Sequence, residues 1–124
     1  MRQENMMYLA EKEEELVNLL FGIGIKRKVA KVLTLLTKTP MITSRTIGRG
    51  TDLRQTEMVF VMQYLKKQGW IKSQKDKVRS NGRPMKIYEL AKPISEIVNG
   101  IEKEKIKKAN DQLQPIQKLR NYVS

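Results

Sequence analysis

The chain has no cysteine and no histidine. Without cysteine there are no disulfides, thiolate metal ligands or thiol nucleophiles. Without histidine the commonest general base and the commonest metal ligand are missing as well. The carboxylates that remain sit mostly in helical charge patterns with lysine three or four residues on, as Glu102 does with Lys105 and Glu104 with Lys107 and Lys108. Such spacing makes surface pairs, not acid–base dyads. Gly22-Ile23-Gly24 is too short for a phosphate-cradling loop and follows no strand. No enzymatic chemistry, no resident metal and no cofactor are expected.

Long apolar runs are missing too. Nothing approaches the roughly 20 residues of a membrane span, and no charged-apolar-small leader opens the chain. The expectation is a cytoplasmic protein with no membrane partner. At 124 residues the length suits one domain with a modest core, which pairing of two copies would supplement.

Acidic residues are the next scarcity. There are 13 against 25 lysines and arginines, for a net charge of +12. The distribution is uneven: residues 1–21 carry a net −3, residues 22–91 a net +12 and residues 92–124 a net +3. A basic centre of this kind attracts phosphate, although a charge run can also be a merely solvated face.

That basic centre has an ordered pattern. Ile25 to Thr37 places Val29, Val32, Leu33 and Leu36 on one helical face, and Pro40 ends the helix. Met41-Ile42 suits a single-bridge strand, and Thr43 or Ser44 caps a short helix containing Ile47. Gly48 and Gly50 weaken that helix and predict a bend or loose packing. Thr51-Asp52-Leu53 forms the turn, since aspartate tolerates left-handed backbone better than most residues. A second helix runs from about Gln55 to Gln68, with Met58, Val61, Met62 and Leu65 as its apolar stripe and Gly69 as its stop. Alternation over 70–75 and 86–90 predicts two strands around a basic tip bearing Lys77, Arg79 and Arg83. The fold class is mainly α with a small β-hairpin: a winged helix-turn-helix.

Helices flank this centre on both sides. Glu4 to Phe21 keeps an apolar stripe through an acidic block, and its outward face would be repelled by DNA. It suits either a second subunit or its own core. After Pro93 the stripe of Ile94, Ile97, Val98 and Ile101 continues to Leu113, and Pro115 predicts a kink or fresh start before a last helix containing Ile116. Three segments result: 1–24, an N-terminal helix suited to a dimer contact; 25–91, the DNA-binding winged helix; and 92–124, a helical dimerisation arm. Ile94, Val98, Ile101, Leu113 and Ile116 are the expected dimer contacts, the alternative being that the arm folds back on its own subunit.

The 55–68 helix has the width for a major groove, and its polar face has the chemistry to read one. Gln55, Thr56 and Gln63 are candidates for base edges, and Val59 or Phe60 for a thymine methyl. Phe60 equally suits the core or a dimer contact. Lys67 closes the reading helix, and with Arg45, Arg54 and Lys66 it is suited to phosphate. Lys77, Arg79 and Arg83 on the wing suit a minor groove, or else decorate a tip that makes no ordered contact. Trp70 and Tyr88 fit core or hairpin pairs better than base-stacking platforms.

The helix order, the Thr51-Asp52-Leu53 turn, the run Leu65-Lys66-Lys67-Gln68-Gly69-Trp70-Ile71 and above all Gly82-Arg83-Pro84-Met85-Lys86-Ile87-Tyr88-Glu89-Leu90 resemble small prokaryotic winged-helix transcriptional regulators. The flavour is archaeal, similar to the TrmB, ArsR and MarR groups. The resemblance covers residues 25–91 well and the flanking helices only in layout. It implies the 55–68 helix in a major groove, the wing tip on the adjacent minor groove, and two subunits paired through terminal helices. ArsR metal sensors use cysteine or histidine ligands, and this chain has neither. TrmB proteins carry a sugar-binding domain after the winged helix, and 33 residues follow the wing here. The expected partners are double-stranded DNA and a second copy of the chain. The alternatives are a protein-interaction module in a transcription or RNA-processing assembly, or a sequence-tolerant architectural DNA binder.

Overall fold

Among the described residues, five helices and three short strands follow one another as α1 (Arg2–Gly22), α2 (Arg27–Lys38), β1 (Ile42–Thr43), α3 (Ser44–Thr51), α4 (Gln55–Lys67), β2 (Ile71–Asp76), β3 (Met85–Leu90) and α5 (Ile94–Val123). The computed structural model describes residues 2–76 and 85–124, with side chains from Lys12 to Lys75 and from Lys86 onward. Among the described residues no helix is long and apolar enough to cross a membrane. The chain divides into two units, Met1–Lys92 and Pro93–Ser124.

In the first unit α2 occupies the centre. Val29, Ala30, Val32, Leu33 and Leu36 are buried, and Val17 and Leu20 of α1, Ile47 of α3, Leu65 of α4 and Tyr88 of β3 are buried with them. Each of the buried valines, leucines and isoleucines contributes about 1.5–3 kcal/mol by leaving water. The first turn of α2 carries Arg27 and Lys28 and no acid, the reverse of what the helix dipole favours.

The sheet has the order β1-β3-β2, all antiparallel. β1 pairs Ile42 with Tyr88 and Thr43 with Ile87, so the expected single bridge is a two-residue strand. In β2 and β3 Lys72 faces Glu89, and their side chains form an ion pair at 3.4 Å. Trp70 and Tyr88 are both buried, as expected of core residues.

Two expectations need correction. α3 runs unbroken through Gly48 and Gly50, and both glycines sit at close approaches: a Cβ at 48 would meet Met58 Cε at 2.7 Å, and one at 50 would meet Leu35 Cδ2 at 2.9 Å. Their missing side chains let α3 approach its neighbours closely, where a bend or loose packing was expected. The second correction concerns the fresh start offered as one alternative at Pro115: the proline lies inside α5 without ending it. Proline removes one N–H from the ladder at a cost of about 3 kcal/mol, and the single helix continues through that loss to Val123.

The second unit is α5 itself, 30 residues and so about 45 Å long. Ile106, Leu113, Ile116, Leu119, Tyr122 and Val123 are all exposed along it.

Candidate nucleic-acid interface

The placement of α4 begins at Asp52. Its backbone is left-handed, φ 57° and ψ 24°, and it stands as the C-cap of α3 in the short turn before α4. Thr43 precedes α3 and its Oγ1 accepts the Thr46 amide at 3.3 Å, so the positioning helix has the cap expected of it.

At the start of α4, Glu57 Oε1 accepts the Arg54 backbone N–H at 3.3 Å, which satisfies an otherwise orphaned amide. The other carboxylate oxygen pairs with Lys28 of α2. The Lys28 ammonium, aided by the Arg54 amide, holds the Glu57 carboxyl below its ordinary pKa. At the far end the Gly69 and Trp70 amides donate to the Lys66 and Leu65 carbonyls, at 3.0 and 3.1 Å. Gly69 takes φ 76° to allow this, a conformation that a side chain would strain.

Between these ends the helix has two faces. Val61, Met62 and Leu65 are buried, and Met58 is half-buried. Gln55, Lys66, Val59, Gln63, Thr56 and Lys67 are exposed and fall within an arc of about 120°. Phe60 sits at the edge of that arc with 73% of its surface exposed, so it is not part of the chain's own core. Tyr64 lies beyond Phe60, its ring edge-on to Trp70 at 6.0 Å between centroids.

A groove runs along each flank of this face. The first, of about 730 Å³, lies among α3, α4 and β3 and is lined by Arg45, Gln55, Val59, Gln63, Lys66, Lys86 and Tyr88. It gathers base-reading candidates and cations in one concavity. Lys66 Nζ stands 5.6 Å from the centre of the Tyr88 ring, a cation–π distance that ties the end of α4 to the wing strand. Lys86 and Tyr88 were not expected here. The alternation of β3 places both on one face, but only the tertiary fold turns that face toward α4. Arg54 is exposed just before α4 and does not line this groove.

The second groove, of about 540 Å³, lies between α4 and the start of α2. Val29 and Val61 form its floor, Phe60 and Tyr64 one wall, and Lys26, Arg27 and Lys28 its basic side. Lys77, Arg79 and Arg83 of the wing lie outside the described residues. On α5, Ile94, Val98 and Ile101 are partly exposed, and Leu113 and Ile116 are exposed.

No known family profile and no curated protein sequence matches the chain. Solved structures do. A possible transcriptional regulator from Methanosarcina mazei Go1 matches with a TM-score of 0.65 at 14% identity, over 81% of this chain and 83% of that one. A MarR mutant from E. coli, solved in complex with operator DNA, matches with a TM-score of 0.54 at 15% identity, over 98% of this chain and 91% of that one. The PcaV transcriptional regulator from Streptomyces coelicolor matches at 0.52 and 18%, over 91% and 79%. The fold is a winged helix-turn-helix resembling that of MarR regulators. At these identities the likeness speaks for the fold, and function has to be argued from the surface of this chain.

Proposed function

We propose that this chain is a transcriptional regulator that binds double-stranded DNA as a homodimer, with α4 in the major groove and the wing at the adjacent minor groove. The observation that carries this reading is the exposed face of α4, where amide and hydroxyl side chains stand beside a groove bordered by cations. An α-helix fits a major groove, and glutamine can bond adenine through two hydrogen bonds. Gln55, Thr56 and Gln63 read base edges in this arrangement, and Val59 and Phe60 meet thymine methyls. Arg45, Arg54, Lys66 and Lys67 hold phosphates, which fix register without reading sequence. Lys77, Arg79 and Arg83 serve the minor groove. The neighbour solved with operator DNA supports this reading, as does the net +12 of residues 22–91.

The three segments divide the work. Residues 25–91 bind DNA, and 92–124 pair two subunits through Ile94, Val98, Ile101, Leu113 and Ile116, with 1–24 as a further dimer contact. Two-fold symmetry then presents two copies of α4 to half-sites about one helical turn apart. A regulator of this kind works beside the chromosome, in the cytoplasm.

The test is selection from randomised duplexes, followed by titration of enriched and scrambled sequences at two salt concentrations. The expected result is a pseudo-palindromic site bound about 10³-fold or more above scrambled DNA. Equal, steeply salt-dependent binding of both would make this an architectural DNA protein. No duplex binding would leave a protein-interaction module.

A further inference from the structure

We propose that the groove between α4 and the start of α2 is a second phosphate site, holding the DNA backbone strand that borders the major groove on the side away from the wing, with Lys26 as its principal contact. This rests on the reading of α4 as the major-groove helix. A helix about 10–12 Å across fills a groove about 12 Å wide, and a backbone strand borders the groove on each side. Both flanks of α4 therefore face phosphates. The wing-side flank has Arg45, Lys66 and Lys86. The opposite flank has Lys26, Arg27 and Lys28, none of which the sequence pattern assigned to DNA.

The three cations differ in what already holds them. Lys28 is paired with Glu57. Arg27 donates to Asn18 Oδ1 at 3.1 Å and its guanidinium lies 4.8 Å from the centre of the Phe21 ring. Lys26 is exposed, and its ammonium has no hydrogen bond or ion pair among the described residues; only its backbone carbonyl is engaged, by the Ala30 amide. Its ammonium is the charge in this groove available to an outside anion. The groove is also partly apolar, with Phe60 and Tyr64 73% and 43% exposed on its α4 wall. A nucleic-acid backbone matches that mixture, because deoxyribose rings alternate with phosphates. Phe60 joins this groove to the reading face, so one duplex can occupy both.

The test compares wild type with Lys26→Ala and Lys26→Glu, titrating the enriched and scrambled duplexes over a range of salt concentrations. The Lys26 side chain makes no capping bond to α2, and a carboxylate suits a helix N-terminus better than an ammonium, so neither variant should melt below the wild type. Lys26→Ala should reduce the salt slope by about 1 and weaken binding to both duplexes by the same factor, as loss of a phosphate contact does. Lys26→Glu should weaken both further. Ethylation interference should lose the corresponding phosphate on the strand away from the wing. An unchanged slope and interference pattern, with Arg45→Ala lowering the slope, would overturn this site and leave the major-groove reading standing. Absence of duplex binding by wild type would overturn both.

Discussion

Lys28 of α2 and Glu57 of α4 pair across the two helices, and the same carboxylate accepts the Arg54 amide at the start of α4. One side chain thus caps α4 and anchors it to the centre of the fold. Because Lys28 and the Arg54 amide depress the Glu57 pKa, the stabilisation is fully present above the ordinary glutamate range and is lost as pH falls through the depressed value. Wild type should therefore melt above Glu57→Gln at pH 7, and the gap should close on acidification below about pH 4. Salt should narrow the gap too, since the pair is exposed to solvent. Melting curves of the two proteins at pH 7 and pH 3 check this; a gap independent of pH would assign the effect to something other than the carboxylate charge.

Gly48 brings α3 close to α4. Alanine there gains helix propensity of up to about 1 kcal/mol and needs only the flexible Met58 methyl to swing aside. Gly48→Ala should therefore melt within about 1 kcal/mol of wild type. Gly48→Val adds bulk that Met58 cannot clear by its end methyl alone, and it should push α4 outward. The expected signature is a DNA affinity reduced by more than the change in stability explains. Wild-type affinity in Gly48→Val would show that the spacing of α3 and α4 does not set the interface.

Gln63 stands near the middle of the exposed arc of α4 and lines the wing-side groove. A bidentate base contact is worth about 1–3 kcal/mol of discrimination. Gln63→Ala should therefore lose roughly tenfold in preference for the selected site, while binding of scrambled duplex and the melting temperature stay near wild type. Equal losses on both duplexes would remove Gln63 from the reading residues and make it a general contact.

Much of the winged helix was legible because local rules and tertiary packing agree. The stripe of Val61, Met62 and Leu65 is buried, Asp52 makes the turn in left-handed backbone, and Gly69 ends α4 at positive φ. Each follows from periodicity or from the steric latitude of one residue type. Gly48 and Gly50 were misjudged because helix propensity counts the cost of a missing side chain and cannot see a neighbour that needs the space. The fresh start at Pro115 does not occur, since proline costs one hydrogen bond and the helix on either side of it supplies the rest. The site was half legible. Gln55, Thr56, Val59, Gln63 and Lys66 share a face by helical period alone, whereas Lys86 and Lys26 reach the flanks of α4 through folding of distant segments.

The exposed stripe of α5 bears on assembly. Ile106, Leu113, Ile116, Leu119 and Val123 recur on one side of the helix, each at least 49% exposed. A stripe of this size is costly to leave in water, and a second copy of the same helix offers the same apolar chemistry. Truncation after Gly100 should therefore yield a monomer by light scattering. The double substitution Leu113→Asp with Ile116→Asp should do the same in the full chain, because it places charge on the seam without removing the helix. On the homodimer reading proposed above, DNA affinity should fall in both, because one subunit would offer a single α4 to a two-part site. Monomers that still bind the full site as tightly as wild type would separate assembly from DNA recognition, and an intact dimer in both variants would move the subunit contact to α1.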